Sequence, residues 1–304
     1  MCKLKSAIIL KDKIFMPDYD SHSKMLEELG ITDDYINASK VFVGAELSPA
    51  NGDVFSDIDG WKFNVDQDIT PEWFDAKDCA ERMREAVKEW AKTHIFIERD
   101  GLKISHGENI YVKNCKDVEV CGSATVKYIC GSATVKYIYD SATVEYIYDS
   151  ATVECICDSA TVKYLCGSAT VKYIYGSATV KYICDSATVK YLCGSATVER
   201  IYDSATVKYI CDSATVKYIY DSATVEFVYN NATVNNIYSN ATVKNVCDNA
   251  TVKYICDNAT VTSHSKWNNS ATLVIADNAM FKDYYAKVIY HAGGWKLVEV
   301  KKGK

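Results

Sequence analysis

The sequence predicts a mainly β fold, a parallel β-solenoid with two nine-residue repeats per coil, on three observations. First, a unit that opens Gly-Ser-Ala-Thr-Val-Lys-Tyr-Ile-Cys runs without a gap over residues 122–265, in sixteen copies, the last keeping only its first half. A fixed short period makes each unit contact mainly its neighbours, so the fold is a stack. Second, counting Gly122 as position one, three positions are never polar: Ala at three, Val at five, and Ile, Leu or Val at eight in the fifteen full copies. A position that stays apolar through fifteen trials is dry, since an unpaired buried polar group costs about 1–3 kcal/mol. Third, Ala and Val stand two apart, as one face of a strand requires, but Val and the position-eight aliphatic stand three apart.

That third spacing implies a bend near Lys127–Tyr128. An antiparallel meander keeps strict alternation and would put position eight on the same face as Thr and Lys. A solenoid turns a corner and keeps all three aliphatics inside. Two repeats per coil give two short strands facing each other across a thin core. Sixteen repeats then make about eight coils, a stack about 38 Å long at about 4.8 Å per rung. Positions one (Gly, Asp, Asn or Ser) and two (Ser or Asn) are turn chemistry. Thr125, Lys127 and Tyr128, with their equivalents, point outward, because position seven also accepts Arg200, Asn236 and Asn245. Position six is mostly Lys, with Glu145, Glu154, Glu199 and Glu226 among the exceptions.

Residues 1–100 do not repeat and read as a small acidic α+β domain. A hairpin is predicted from residues 6–10 and 13–16. A short helix follows at 25–29, capped by Ser21 or Ser23 and closed by Gly30. Strands are predicted at 40–47 and 61–65, and Pro71 starts a short helical turn. A long helix covers 76–95, with Cys79, Met83, Val87 and Trp90 in one apolar stripe beside Ala80, Ala86 and Ala91. Residues 101–121 read as degenerate starter rungs, in which Ile110, Val112, Val118 and Val120 alternate. Open sheet edges aggregate, so both ends of a solenoid need closing. Residues 266–304 read as a cap: a worn rung at 270–277, then a hairpin of 286–291 and 295–300 around Ala292-Gly293-Gly294. Asn231, Asn240, Asn249 and Asn258 replace Ser at position two and are expected to hydrogen-bond along a corner.

Composition narrows function more than it defines it. The chain has 304 residues and a net charge of −6, divided as −8 over residues 1–121, −1 over 122–256 and +3 over 257–304. The solenoid carries neither the basic stripe of a nucleic-acid binder nor the acidic surface of a DNA mimic. No apolar run approaches a membrane span, and the short N-terminal apolar run closed by charges is not a secretory signal, so a cytoplasmic location is expected. On the same ground the Asn-Ala-Thr triplets are not read as glycosylation acceptors. Of thirteen cysteines, eight occupy position nine. They read as small hydrophobic thiols alternating with Tyr, with Cys166 stacked over Cys184 and Cys193 over Cys211. No Cys-x-x-Cys pair occurs, and no metal or cofactor is assigned. Asp53, Asp57, Asp59, Asp66 and Asp68 form a dense carboxylate group, but it does not match a calcium loop and reads as loop solvation. His94 reads as a favourable group at a helix C-terminus. No phosphate loop, nucleophile elbow or zinc-protease motif is present.

The (Gly/Asp)-Ser-Ala-Thr-Val run resembles short-period bacterial β-solenoid repeats, a class that includes the bactofilin-like polymer formers, over residues 107–279. The leading Lys5-Ser-Ala-Ile-Ile-Leu-Lys-Asp, with Met16-Pro-Asp-Tyr-Asp, looks like the start of uncharacterised proteins of gut bacteria and their phages. The Gly-Gly-x-Gly-x-Asp pattern of calcium-binding nonapeptide rolls is missing, so the resemblance does not imply calcium. The functional expectation is a non-enzymatic scaffold: a rigid rod showing Thr, Lys/Glu and Tyr ladders, with an N-terminal partner-binding domain. Its partner would be a protein or a second copy of itself. The candidate surface is Tyr128, Tyr137, Tyr146, Tyr164, Tyr173, Tyr182, Tyr191, Tyr209 and Tyr218, since Tyr offers large rigid contact area. The alternatives are an effector that blocks a host macromolecule, an enzyme in the N-terminal domain with the solenoid as spacer, and an ice binder using Ser-x-Thr ladders.

Overall fold

The computed structural model describes residues 5–49, 51–264, 266, 273–291 and, as backbone, 294–300. The chain divides into two compact units, 1–96 and 97–304.

In the first unit, β1 (Lys5–Leu10), β2 (Ile14–Phe15), β3 (Phe42–Ser48) and β4 (Lys62–Val65) form an antiparallel sheet in the order β2-β1-β3-β4. The predicted hairpin is β1–β2, closed by the Leu10 N–H donating to Lys13 O. Helix α1 (His22–Leu29) starts where the Ser21 hydroxyl accepts from Lys24 N and stops at Gly30 with φ 67°. A short α2 (Tyr35–Ala38) precedes β3. Helix α3 (Ala76–His94) begins at Asp75, whose carboxylate accepts from Asp78 N. Cys79, Ala80, Met83, Val87 and Trp90 are buried along one stripe, as the spacing requires, and Ala86 and Ala91 lie half-buried beside it. After Pro71 there is a single turn, Phe74 N to Pro71 O, and no helix: the turn leads straight to the Asp75 cap.

In the second unit the strands alternate between two twelve-stranded sheets. Each repeat strand pairs in parallel with the one eighteen residues away. Thr143 aligns with Thr161, Val144 with Val162, Tyr146 with Tyr164, and Ile147 with Leu165. The meander is thereby excluded. Ala, Val and the position-eight aliphatic have zero exposure in nearly every copy, while positions six and seven both face out. The break in alternation thus lies within each five-residue strand, between Val and the position-eight aliphatic.

The corners explain positions one and two. All sixteen position-one residues lie in the left-handed region, with φ between 52° and 69°. Gly enters it freely, and Asp and Asn enter it more readily than other residues. A tight turn results, in which the position-three N–H donates back to the position-nine carbonyl, as Ala142 to Tyr139 O at 3.2 Å. In most copies where position one is Asp, its carboxylate also accepts from the position-one N–H of the preceding coil: Gly122 to Asp140 (3.0 Å), Gly131 to Asp149 (3.0 Å), Gly167 to Asp185 (2.9 Å) and Ser239 to Asp257 (2.9 Å). The expected Asn ladder is present for two of its four residues: Asn258 donates to Asn240, and Asn278, which follows the worn rung, donates to Asn258.

Starter rungs are present as Ile110–Lys113 and Val118–Val120, with Lys103–Ile104 ahead of them. The sheets therefore extend beyond the eight coils that the repeats alone supply. At the other end Leu273–Asp277 forms the worn rung, parallel to Thr251–Ile255. A hairpin follows, but its strands are Met280–Asp283 and Val288–His291. The segment 295–300 does not pair with 286–291. Strand Gly294–Val300 instead runs antiparallel to Leu273–Asp277. The reason is geometric: each sheet ends on its own open edge, and each edge takes one antiparallel strand. Residues 267–272 and 292–293, where part of the worn rung and the predicted Gly turn fall, lie outside the described residues.

Candidate interaction surface

Because the coil is eighteen residues long, position seven stacks on position seven. The structure gathers seven of the nine expected tyrosines into two runs. In one sheet Tyr128, Tyr146, Tyr164 and Tyr182 follow one another. Ring centroids are 5.7 Å apart, edge to face, for the first pair, then 4.7 and 4.8 Å, stacked. Arg200 continues this run with its guanidinium carbon 5.5 Å from the Tyr182 ring, which is why Arg is accepted there. In the other sheet Tyr173, Tyr191 and Tyr209 stack at 5.2 and 4.9 Å, and Phe227 continues at 5.3 Å. Stacked aromatic pairs add about 0.5–1.5 kcal/mol beyond their buried area. Tyr137 and Tyr218 stay outside these runs. Tyr137 lies between Glu119 and Cys155, and Tyr218 between Arg200 and Asn236.

Lysine at position six leans over the ring that follows it: Lys163, Lys172, Lys190 and Lys208 lie 5.1–5.5 Å from the centroids of Tyr164, Tyr173, Tyr191 and Tyr209. The four glutamates at this position each have a lysine eighteen residues before and after. Lys127–Glu145 closes at 2.7 Å and Lys172–Glu154 at 3.2 Å. An unbroken lysine ladder at rung spacing would repel itself, so the glutamates relieve it where they fall. Both faces are therefore regular, aromatic and charged. No family model, no curated protein and no solved structure matches the chain.

Position nine forms two further columns of Cys and Tyr, mostly buried or half-buried, with Tyr175 exposed. Burial pushes the Tyr148 and Tyr202 hydroxyls up, and the Cys157 contact followed by burial raises Tyr175 to about 12. Burial likewise raises Cys193 and Cys256 to about 11. The described cysteines are all free, and Cys166 over Cys184 and Cys193 over Cys211 are in contact as expected.

In the first unit the aspartate group is dispersed into local tasks. Asp53 accepts from Phe55 N and Asp57 from Asp59 N; Asp59 pairs with Lys88 at 2.8 Å, and Asp66 with His22 at 3.1 Å. The Asp59 and Glu85 contacts raise Lys88 to about 12. His94 sits in the last turn of α3, with Nδ1 2.8 Å from Trp90 O and Nε2 3.2 Å from Asp18. A buried lysine is the residue that sequence reading missed. Lys5 is 1% exposed, lies 3.5 Å from Asp20 and 5.1 Å from the Trp90 ring, and is lowered by burial. Its acid partners come from the loop after β2, so only the fold brings them together. No described helix is long and apolar enough to cross a membrane.

Proposed function

We propose that the chain is a non-enzymatic structural scaffold, a repeat rod whose aromatic faces bind protein, copies of itself included. The observation that supports this reading is the pair of stacked aromatic runs, Tyr128 to Tyr182 and Tyr173 to Phe227, held out from the rod with lysines beside them. Rings pre-stacked in a rigid strand lose little freedom on binding, and Tyr is enriched where binding energy concentrates. A scaffold also needs only regular spacing along its length, which a repeat supplies at any copy number.

The test is light scattering of the full chain over a range of concentrations in reductant, with a variant carrying Tyr173→Ser, Tyr191→Ser and Tyr209→Ser. Mass above that of one chain, reduced by the triple variant, is the expected result. A monomer at every concentration that also captures no protein partner would refute the proposal.

A further inference from the structure

A coil of eighteen residues makes neighbours of positions i and i+18, so metal ligands in this fold need not show Cys-x-x-Cys spacing. Eight copies end in Cys, and in two places the next coil repeats it: Cys166 with Cys184, and Cys193 with Cys211. In both places the residue after the second cysteine is aspartate, Asp185 or Asp212. At each, the two sulfurs and a carboxylate oxygen lie within 4.8 Å of one another, and among the described residues only these two groups of three converge in this way.

The two groups share one construction. A tyrosine occupies position nine in the coil before (Tyr148, Tyr175) and in the coil after (Tyr202, Tyr229), and glycine follows the first cysteine (Gly167, Gly194). The glycine N–H holds the aspartate from behind, Gly167 to Asp185 at 2.9 Å and Gly194 to Asp212 at 3.1 Å. Cys184 and Cys211 are buried, Cys166 and Cys193 half-buried, and the aspartates exposed, so each group opens to solvent on its carboxylate side.

Metal–sulfur and metal–oxygen bonds of about 2.3 and 2.0–2.2 Å around a tetrahedral zinc place its ligand atoms about 3.5–3.8 Å apart. The observed groups, with all three atoms within 4.8 Å of one another, need to draw in by about 1 Å to reach that size. Two sulfurs select a thiophilic cation over calcium or magnesium, which want only oxygen. We propose that Cys166–Cys184–Asp185 and Cys193–Cys211–Asp212 are two equivalent sites for a divalent cation of the zinc class, each completed by water. Binding forms two metal–sulfur bonds and one metal–oxygen bond, and the two thiol protons leave to solvent. No electron is transferred. Each ion would tie two successive coils together.

The test titrates the full chain with cobalt(II) in a non-thiol reductant and follows the near-ultraviolet sulfur-to-cobalt band, with zinc then displacing the cobalt. Two equivalents are expected, one per group. Cys184→Ser should remove one, Cys211→Ser the other, and the double variant both, with far-ultraviolet circular dichroism reporting the fold. Cys256→Ser, a position-nine cysteine stacked below Tyr238, should leave both. Asp185→Asn keeps the turn and should weaken one site about tenfold or more. No sulfur–cobalt band from the wild-type chain overturns the proposal, and so does a band that survives in the double variant.

Discussion

The two units reach stability by opposite routes. In the first, every contact is used once. Trp61 is 1% exposed and donates its indole N–H to Ser56, Arg82 reaches across to Leu10 O, and Lys5 is buried beside Asp20. In the second, a few contacts are used again and again. Ala, Val and Ile fill the coil, Thr aligns with Thr and Val with Val, and one turn recurs at every corner. A one-of-a-kind unit should fail as a whole when one large contact is lost. A repeat unit should respond alike at equivalent sites and differ only at its ends.

The largest effect is expected from Trp61→Ala, about 3–5 kcal/mol by denaturant unfolding, in a transition separate from the solenoid's. Next come Ile201→Ala and Ile219→Ala. Both side chains have zero exposure and lie in one sheet between two isoleucines, so each should cost about 2–5 kcal/mol, and the two should agree within about 0.5 kcal/mol. A wide disagreement breaks the idea of interchangeable rungs. Gly122→Ala probes an end. Gly122 has φ 60°, and an added Cβ would meet Ser105 O at 2.4 Å, so the loss should be about 1–3 kcal/mol.

An alkaline titration compares the units by sign. Cys193 and Cys256, raised by burial from 9.0 to about 11, and Tyr175, raised from 10.0 to about 12, ionise later in the folded chain than in the unfolded one. Their stabilisation is complete below about pH 9 and is lost as pH rises through 9 to 12. Lys5 has the opposite sign. Burial lowers it from 10.5, so its cost is full below its folded value and disappears as pH rises towards 10.5. The solenoid's melting temperature should fall above pH 9, and Lys5→Met should remove a compensating rise in the first unit. The smallest effect is expected from Glu145→Lys, which places four lysines in line, at 127, 145, 163 and 181. It should cost a few tenths of a kcal/mol, and more at low salt.

The solenoid was legible because sixteen internal copies act as a mutation series. Positions that never turn polar are the buried ones, and the three-residue gap from Val to Ile marks the two successive residues that face out, although the chain turns at positions one and two and not there. Helix α3 was legible from its stripe and α1 from Ser21 and Gly30. Besides the buried Lys5, three features were not. Aspartate at position one reads as turn chemistry, but its bond to the N–H of the preceding coil appears only once coils are stacked. The Gly-Gly turn between two alternating runs suggests a hairpin, yet the free edge of Leu273–Asp277 takes the last strand instead. Among the surface tyrosines, Tyr137 and Tyr218 carry the same local motif as the others. Whether a ring joins a position-seven run depends on the residue eighteen away, and there Glu119, Cys155, Arg200 and Asn236 interrupt the runs, leaving Tyr137 and Tyr218 to meet the position-nine rings of Tyr139 and Tyr238.

The eighteen-residue coil underlies every one of these statements, and the native cysteines can test it. Stacked rungs put Cα atoms about 4.8 Å apart, within reach of a disulfide. The full chain, carrying Cys211→Ser so that tryptic peptides around Cys184 and Cys211 are distinct, is oxidised briefly, digested and mapped by mass spectrometry. A Cys166–Cys184 link is the expected result. A link between Cys157 and Cys166, or between Cys184 and Cys193, joins residues nine apart and would contradict the coil.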